Sequence, residues 1–144
     1  MVELNPASLS ELQKEFVVCL GLLLRKINTD GYRCTLGEAY RSNEQAAINS
    51  LSLTDRARIR AMLETKYPIL ADAIGSSVSQ GIKNSNHRNR LAIDLNLFKD
   101  EKFLDDTADY LQFGEFWKTL HPAARWGGDF GDADHFSFEW NGVK

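Results

Sequence analysis

The sequence predicts an α+β fold with a small, mainly antiparallel sheet flanked by helices. Two features support this class. A long helical periodicity comes first, and strand-like segments then recur between later helices, joined by short turns. The length of 144 residues suits one core, so we expect a single domain over residues 1–144.

The first predicted element is a helix that begins after Ser8. The segment Ser8-Leu9-Ser10-Glu11 has the pattern of a capping box, and Asp30-Gly31 marks the end of the periodicity. The apolar residues that recur at helical spacing between them are Leu9, Leu12, Phe16, Leu20, Leu23, Leu24 and Ile27. Residues 32–40 then alternate enough to predict a strand, although Gly37 weakens it.

The middle of the chain predicts short helices and a loop. Residues 41–45 begin a short helix, residues 54–63 are helix-like, and Tyr67-Pro68 breaks or restarts that helix. Residues 74–86 are rich in Gly, Ser and Asn, so we expect a loop there that leads into the functional site.

The last part of the chain predicts a strand, a helix and a final strand. Residues 91–98 alternate, with Asp94 on the face opposite the aliphatic side chains. A helix is predicted over residues 106–120, with Pro122 just past its end, and the final strand over about residues 135–140.

Charge and hydropathy argue against two classes of function. The net charge is −3 and the pI about 5.6, so we expect no nucleic-acid partner. The longest uncharged apolar run, residues 16–24, is far shorter than the roughly twenty residues that span a bilayer. Glu3, Glu11 and Glu15 precede it where a signal peptide carries basic residues. We therefore expect no membrane insertion and no signal peptide.

The cysteines and histidines limit the possible metal sites. Cys19 and Cys34 lack CxxC spacing, which favours buried free thiols over a disulfide. Any zinc ion must therefore be held by histidine and carboxylate, and the histidines are His87, His121 and His135. We expect His121, at the end of a predicted helix, to be a helix residue rather than a ligand.

Two segments carry the candidate ligands. His87 and Asp94 lie in residues 85–95, and Asp132 and His135 lie in the later segment 125–136. Two imidazoles and one carboxylate with an open fourth position form a catalytic zinc site rather than a closed structural one. An inward-facing Asp94 is costly unless paired or ligated. Asp132 is close enough in sequence to His135 to act as a general base on a water.

Simpler interpretations of the same residues stay open. A histidine before a strand is often a surface residue or a hydrogen-bonded core residue. The acidic run 129–134, which includes Asp134, is typical of a solvated turn and is also compatible with a Ca²⁺ site.

The two segments resemble motifs of the zinc peptidases that include D-Ala-D-Ala carboxypeptidases and the L-alanyl-D-glutamate endopeptidases of phage endolysins. The first motif, Ser-x-His-x-x-Gly-x-Ala-x-Asp-Leu, is matched at all positions but one by Ser85, His87, Ala92, Asp94 and Leu95. The second, an acidic residue three before a histidine after a Trp-Gly-Gly-Asp turn, is matched by residues 126–129, Asp132 and His135. A weaker third match covers residues 38–45. Arg90 replaces the family's Gly, which predicts either a different turn or a basic side chain directed at substrate carboxylates.

The resemblance implies a fold like that of hedgehog-type domains and D-Ala-D-Ala peptidases, with the zinc site on the sheet. It implies Zn²⁺ bound by His87, Asp94 and His135, with Asp132 as the general base. It further implies that Arg41 steadies an oxyanion or a substrate carboxylate. Ser85 would hydrogen-bond substrate. The residues alone are equally compatible with a surface Arg41, paired with a nearby glutamate, and with an ordinary loop serine.

The implied function is hydrolysis of the peptidoglycan stem peptide, with the L-Ala–D-Glu bond as the expected target. The protein would then be a monomeric phage or prophage endolysin, kept in the host cytoplasm until lysis and acting on the cell wall. A D-Ala-D-Ala carboxypeptidase is the alternative within the same chemistry. A non-catalytic, zinc-stabilised binding module and a Ca²⁺-binding structural protein are alternatives from other classes.

Overall fold

The computed structural model of the protein describes residues 8–74 and 85–144. These residues form two compact units. The first comprises the chain up to Tyr40 together with residues 86–144, and the second comprises residues 41–85. Each unit is described separately below.

The first unit opens with helix α1, Leu9–Thr29. Ser8 is its N-cap, and the Ser8 side chain accepts a hydrogen bond from the backbone N–H of Glu11 (3.2 Å). Asp30 caps the other end, followed by Gly31 at φ 85°. The predicted first helix is therefore confirmed at both ends. Its buried face consists of Leu12, Phe16, Cys19, Leu23 and Ile27.

Five antiparallel strands form the sheet of this unit. Their bounds are β1 Arg33–Leu36, β2 Ala92–Lys99, β3 Lys102–Leu104, β4 Ala124–Trp126 and β5 His135–Phe138. The order is β1-β2-β5-β4, and β3 pairs with β2 beyond the end of β5. The register of β2 against β5 places Asp94 opposite His135. The predicted α+β class with an antiparallel sheet is confirmed.

Two strands were not predicted, and two predicted strands are shorter. The turn between β2 and β3 places both Asp100 (φ 50°) and Glu101 (φ 64°) in the left-handed region, as a two-residue type I′ turn requires. Asp-Glu lacks the Asn-Gly pattern that predicts such a hairpin, so β3 was not predicted. β1 ends at Leu36, although Gly37 still donates to the Asp94 carbonyl (2.7 Å). β5 ends at Phe138.

Helix α5, Thr107–Leu120, covers the sheet and confirms the predicted helix. The Trp117 indole N–H lies within hydrogen-bond distance of the carbonyls of Arg125 (3.0 Å) and Ser137 (3.1 Å), which ties α5 to β4 and β5. The apolar core lies between α1, α5 and the sheet. Its buried members are Leu12, Phe16, Cys19, Leu23, Ile27, Leu91, Ile93, Leu95, Leu97, Tyr110, Phe113, Trp117, Ala124, Trp126, Phe136 and Phe138.

The second unit consists of α2 Asn43–Asn49, α3 Leu53–Leu63 and α4 Pro68–Ile74. These helices confirm the predicted helix starts, including a restart at Pro68. Arg56 is buried, and its guanidinium donates to the carbonyls of Ile74 (2.9 Å), Ile48 (3.0 Å) and Asn49 (3.3 Å). One side chain thereby satisfies carbonyls at the ends of α2 and α4. Most of the loop predicted over residues 74–86 lies outside the described residues.

Both cysteines are free thiols, as the sequence predicts, but Cys19 is buried and Cys34 only partly so. Burial raises the pKa of Cys19, to which the charge of Glu15 adds, and burial also raises the pKa of Cys34. Across residues 8–74 and 85–144, no helix combines the length and the apolar character that crossing a bilayer demands.

The contact between α5 and Trp126 gives a test of the packing. A Cβ on Gly114 would lie 2.0 Å from Cδ2 of Trp126. Gly114→Ala should therefore lower the free energy of unfolding by about 1–3 kcal/mol, the usual cost of overpacking, although alanine favours helix by about 1 kcal/mol. Urea denaturation measures the difference.

Gly21→Ala in α1 is the matched control. Apart from its chain neighbours and the nearby backbone of α1, no described atom lies within 4 Å of the added Cβ at Gly21, so this change should stabilise the protein by up to about 1 kcal/mol. Equal stabilisation by both substitutions would contradict the described packing of α5 against the indole.

Candidate metal centre

Strand β2 holds Asp94 in place through its backbone. The Asp94 N–H donates to the carbonyl of Glu38 (2.8 Å), and the Asp94 carbonyl accepts from Gly37 (2.7 Å). Ile93 and Leu95 point into the core, so alternation directs Asp94 to the other face of the sheet. The side chain of Asp94 remains 22% exposed. A carboxylate is thereby presented on the sheet with its backbone fixed on the β1 side.

A tight turn before β2 delivers His87. Within it, Asn89 and Leu91 donate to the carbonyl of Asn86 (3.1 and 2.9 Å), and Arg90 donates to that of His87 (3.3 Å). Asn86 is fully buried. Its side-chain amide donates to the carbonyls of Phe138 (2.8 Å) and Val143 (2.5 Å), which fixes the turn to the end of the chain. Asn86 is a positioning residue that the sequence did not reveal, because its partners lie far along the chain.

The Trp-Gly-Gly-Asp segment delivers His135. His135 donates its backbone N–H to Asp132 (3.1 Å), and Asp132 donates to the carbonyl of Gly127 (2.8 Å). A Cβ on Gly127 would lie 2.0 Å from the Asp132 carbonyl oxygen and 2.7 Å from Cβ of His135. Glycine at this position lets the two backbone segments approach, and this explains why the motif precedes a histidine.

The three predicted ligands meet in space. Oδ1 of Asp94 lies 3.2 Å from Nε2 of His87 and 3.2 Å from Nδ1 of His135. One ligand atom from each residue lies within 4.8 Å of the other two. Two ligands at 2.0–2.2 Å from a tetrahedral zinc ion are separated by about 3.4 Å, so the observed spacing suits that ion. Among the described residues, this is the one cluster of three or more His, Cys, Asp or Glu able to hold a metal.

The charge state of Asp94 suits a ligand. Burial raises its pKa, but hydrogen bonds from His135 and His87 and the positive charge of the two rings outweigh burial and lower the pKa to about 2. Metal ligands must be deprotonated, and Asp94 is ionised at neutral pH. Two buried imidazoles that face a single carboxylate oxygen form a donor set that fits Zn²⁺.

Asp132 lies in the turn before β5, as predicted, and is exposed. Asp134, which the sequence suggested only as part of an acidic run, is half-buried. Burial, a hydrogen bond with the Asp132 carboxyl and the negative charges of Asp94 and Asp132 raise the pKa of Asp134 to about 6. Two carboxyl groups therefore share a hydrogen bond beside His135. The role of Asp132 as a general base stays a prediction.

Other candidate residues lie in different surroundings. Arg41 begins the second unit, immediately before the Ser42 cap of α2, and Ser85 is the last residue of that unit. Their contacts with substrate stay predictions. His121 is the C-cap of α5 with an extended backbone, pairs with Glu15 (2.8 Å) and stacks on a core phenylalanine. It lies outside the metal-binding cluster, as expected, but follows the helix instead of belonging to it.

The acidic run adds no second metal-binding cluster among the described residues. Asp129, within it, pairs with Lys118 instead (3.0 Å).

Arg90 adopts φ 55°, in the left-handed region. The turn thus has the conformation for which glycine is least strained, and a residue with a side chain occupies it at a cost of about 1–2 kcal/mol. That the Arg90 side chain is directed at substrate carboxylates, the second of the two sequence-based expectations, stays a prediction.

Comparisons with known proteins gave a distant similarity among solved structures. No protein-family model and no curated protein sequence matches the chain. Among solved structures, the chain is similar to a mutant of the vancomycin-resistance D,D-pentapeptidase VanY, from a VanB-type resistance cassette, crystallised in complex with Zn(II). The identity is 17% and the TM-score 0.46, over 85% of this chain and 70% of that one.

Substitution of the ligands should abolish zinc binding. His87→Ala, Asp94→Ala and His135→Ala each remove one of three ligands, so the loss of affinity should exceed the roughly 10- to 100-fold that follows loss of an outer hydrogen-bond partner. Zinc content after gel filtration, measured by mass spectrometry of the metal, is the test.

His121→Ala and Asp132→Ala are the controls for this series. His121 lies outside the cluster, and Asp132 is expected to contact water rather than metal, so both variants should retain zinc. Loss of zinc from Asp132→Ala would move Asp132 into the ligand set.

Removal of the Asn86 side chain should weaken zinc binding without touching a ligand. Asn86→Ala leaves the carbonyls of Phe138 and Val143 without the buried donor and frees the turn that carries His87. We expect zinc affinity to fall about 10- to 100-fold, as for other residues that orient ligands. Competition with a chromogenic chelator measures it, and unchanged affinity would show that the turn holds His87 without Asn86.

Proposed function

We propose that the protein is a zinc metallopeptidase that hydrolyses the stem peptide of peptidoglycan. The observation that carries this proposal is the cluster of His87, Asp94 and His135, with ligand atoms within 4.8 Å of one another. Structural zinc sites are closed by four protein ligands, whereas catalytic sites use three. No fourth His, Cys, Asp or Glu joins this cluster among the described residues, so the donor set is of the catalytic kind.

The ligand set also suits electrophilic chemistry. Zinc bound there would lower the pKa of a water and polarise a peptide carbonyl. Asp94 contributes one negative charge and the two neutral imidazoles contribute none, so the occupied centre keeps a net positive charge. The half-buried Asp94 and the buried rings limit the access of bulk solvent. This strengthens the electrostatic interaction between the centre and a substrate.

Asp132 is the proposed general base and acid. Its exposed side chain is accessible to water and substrate, and its backbone is bonded directly to His135. It would take a proton from the attacking water and return it to the leaving amine. The neighbouring Asp134 carboxyl, whose pKa is raised to about 6, would orient Asp132 through a hydrogen bond while it is protonated. Arg41 and Ser85 are proposed to contact the substrate.

We propose the L-Ala–D-Glu bond as the target, on the strength of the sequence motifs. An Asp rather than a Glu at position 132 resembles the endopeptidase branch of the family. With that specificity, the protein would serve as a phage or prophage endolysin that acts on the wall as a monomer, after release from the host cytoplasm at lysis.

The test is incubation of the zinc-loaded protein with isolated peptidoglycan, followed by mass spectrometry of the released ends. We expect new D-Glu amino ends and L-Ala carboxyl ends. Asp132→Ala, still loaded with zinc, should lower kcat by about 100-fold or more, the usual contribution of a general base.

Other products would change the assignment. Release of D-Ala alone would indicate a D,D-carboxypeptidase. Absence of any product from a protein that binds zinc would indicate a zinc-stabilised binding module. An Asp132→Ala variant as active as the unsubstituted protein would remove Asp132 from the mechanism.

A further inference from the structure

The backbone gives no reason for an arginine at position 90. Arg90 ends the turn that begins at Asn86 and adopts φ 55°. Glycine enters this region at little cost, and Asn or Asp do so more readily than arginine. Glycine would adopt this conformation with less strain, so the presence of another residue suggests that its side chain has a role.

The Arg90 side chain is exposed and lies on an aromatic ring. Its Cζ is 4.7 Å from the centroid of the Tyr40 ring, and both residues are exposed. Within residues 8–74 and 85–144, no carboxylate pairs with Arg90. The N–H donors of a guanidinium lie in its plane, so contact between one face and an aromatic ring leaves the donating edges available.

Both members of the pair lie close in sequence or hydrogen bonding to the segments that carry the predicted metal ligands. Arg90 donates its N–H to the carbonyl of His87 (3.3 Å). Tyr40 follows Glu38 by two residues, and the Glu38 carbonyl accepts from Asp94 (2.8 Å). Arg90 and Tyr40 are thus tied through short stretches of backbone to His87 and Asp94.

The charge around the centre makes such a cation useful. Asp94, Asp132 and Asp134 are three acidic side chains at or beside the centre, and the whole chain carries a net charge of −3. Zn²⁺ bound at the centre and these three side chains largely offset one another's charge, so a cation beside the centre adds attraction for an anionic substrate group. A planar guanidinium with free donor edges binds a carboxylate through two parallel hydrogen bonds.

We propose that Arg90, held by the Tyr40 ring, binds a substrate carboxylate close to the scissile bond and so determines specificity. This inference rests on the proposed function. The stem peptide offers two such groups, the α-carboxylate of its γ-linked D-Glu and the terminal carboxylate of D-Ala. Both have the same chemistry, and the substrates below distinguish them.

The experiment compares Arg90→Gly with the unsubstituted protein on synthetic stem peptides. One peptide has both carboxylates free, a second has the D-Glu carboxylate amidated, and a third has the terminal carboxylate amidated. Amidation of the recognised carboxylate should lower kcat/KM of the unsubstituted protein about 10-fold, mainly through KM. Arg90→Gly should show the same loss on the free peptide, and amidation should cost this variant nothing further.

Two more variants separate recognition from folding. Arg90→Lys keeps the charge but not the paired donors, so its discrimination should be intermediate. Lys99→Ala is a matched control, because Lys99 lies over the Tyr32 ring (4.4 Å) at the opposite end of β2. It should discriminate like the unsubstituted protein. Arg90→Gly should also keep its zinc and unfold at the same or a higher denaturant concentration, since glycine relieves the strained φ.

The inference would be overturned if Arg90→Gly lost activity equally on the free peptide and on both amidated peptides. That result is expected if Arg90 has a purely structural role. If the unsubstituted protein cleaves no peptide, the proposed function fails, and calorimetric binding of the same peptides decides the role of Arg90. Binding that depends on one carboxylate and is lost in Arg90→Gly would support it. Equal affinity for the free and the amidated peptides would overturn it.

Discussion

The pairing register between β2 and β5 is the constraint on which the rest of the site depends. Asp94 lies directly opposite His135, so a carboxylate and an imidazole are neighbours across two strands. A slip of one residue would reverse the faces of β2 and place Ile93 or Leu95 where Asp94 now lies. The register is fixed because Ile93, Leu95 and Leu97 are buried in the core and cannot exchange with the polar face without a large loss of apolar burial.

Turns, in addition to strand pairing, position the two histidines of the cluster. His87 lies in a turn held by Asn86, and His135 begins β5 after a turn that requires Gly127. In both cases, a residue that is not a ligand sets the position of one that is. The site is consequently sensitive to positions at which no chemistry takes place, and zinc affinity would report their substitution more directly than stability would.

Local signals accounted for much that could be predicted. Ser8 and its capping pattern gave the start of α1, and alternation along residues 91–98 placed Asp94 on the polar face of β2. The motifs predicted the three residues that the structure brings together in the candidate metal centre. The hairpin at Asp100-Glu101 was not predicted because this pair of residues is atypical for a left-handed turn. The role of Asn86 was not predicted because its hydrogen-bond partners lie far along the chain. Sequence patterns inform on local geometry, whereas these features depend on tertiary contacts.

The convergence of His87 and His135 on one oxygen of Asp94 has a consequence for the order of events in the life of the protein. The ligands are already gathered by strand pairing, turns and burial, so capture of the ion need not organise the chain. In small zinc domains that fold only around their metal, part of the free energy of zinc binding is used to order the chain. We therefore expect this chain to fold without zinc and to bind the ion afterwards.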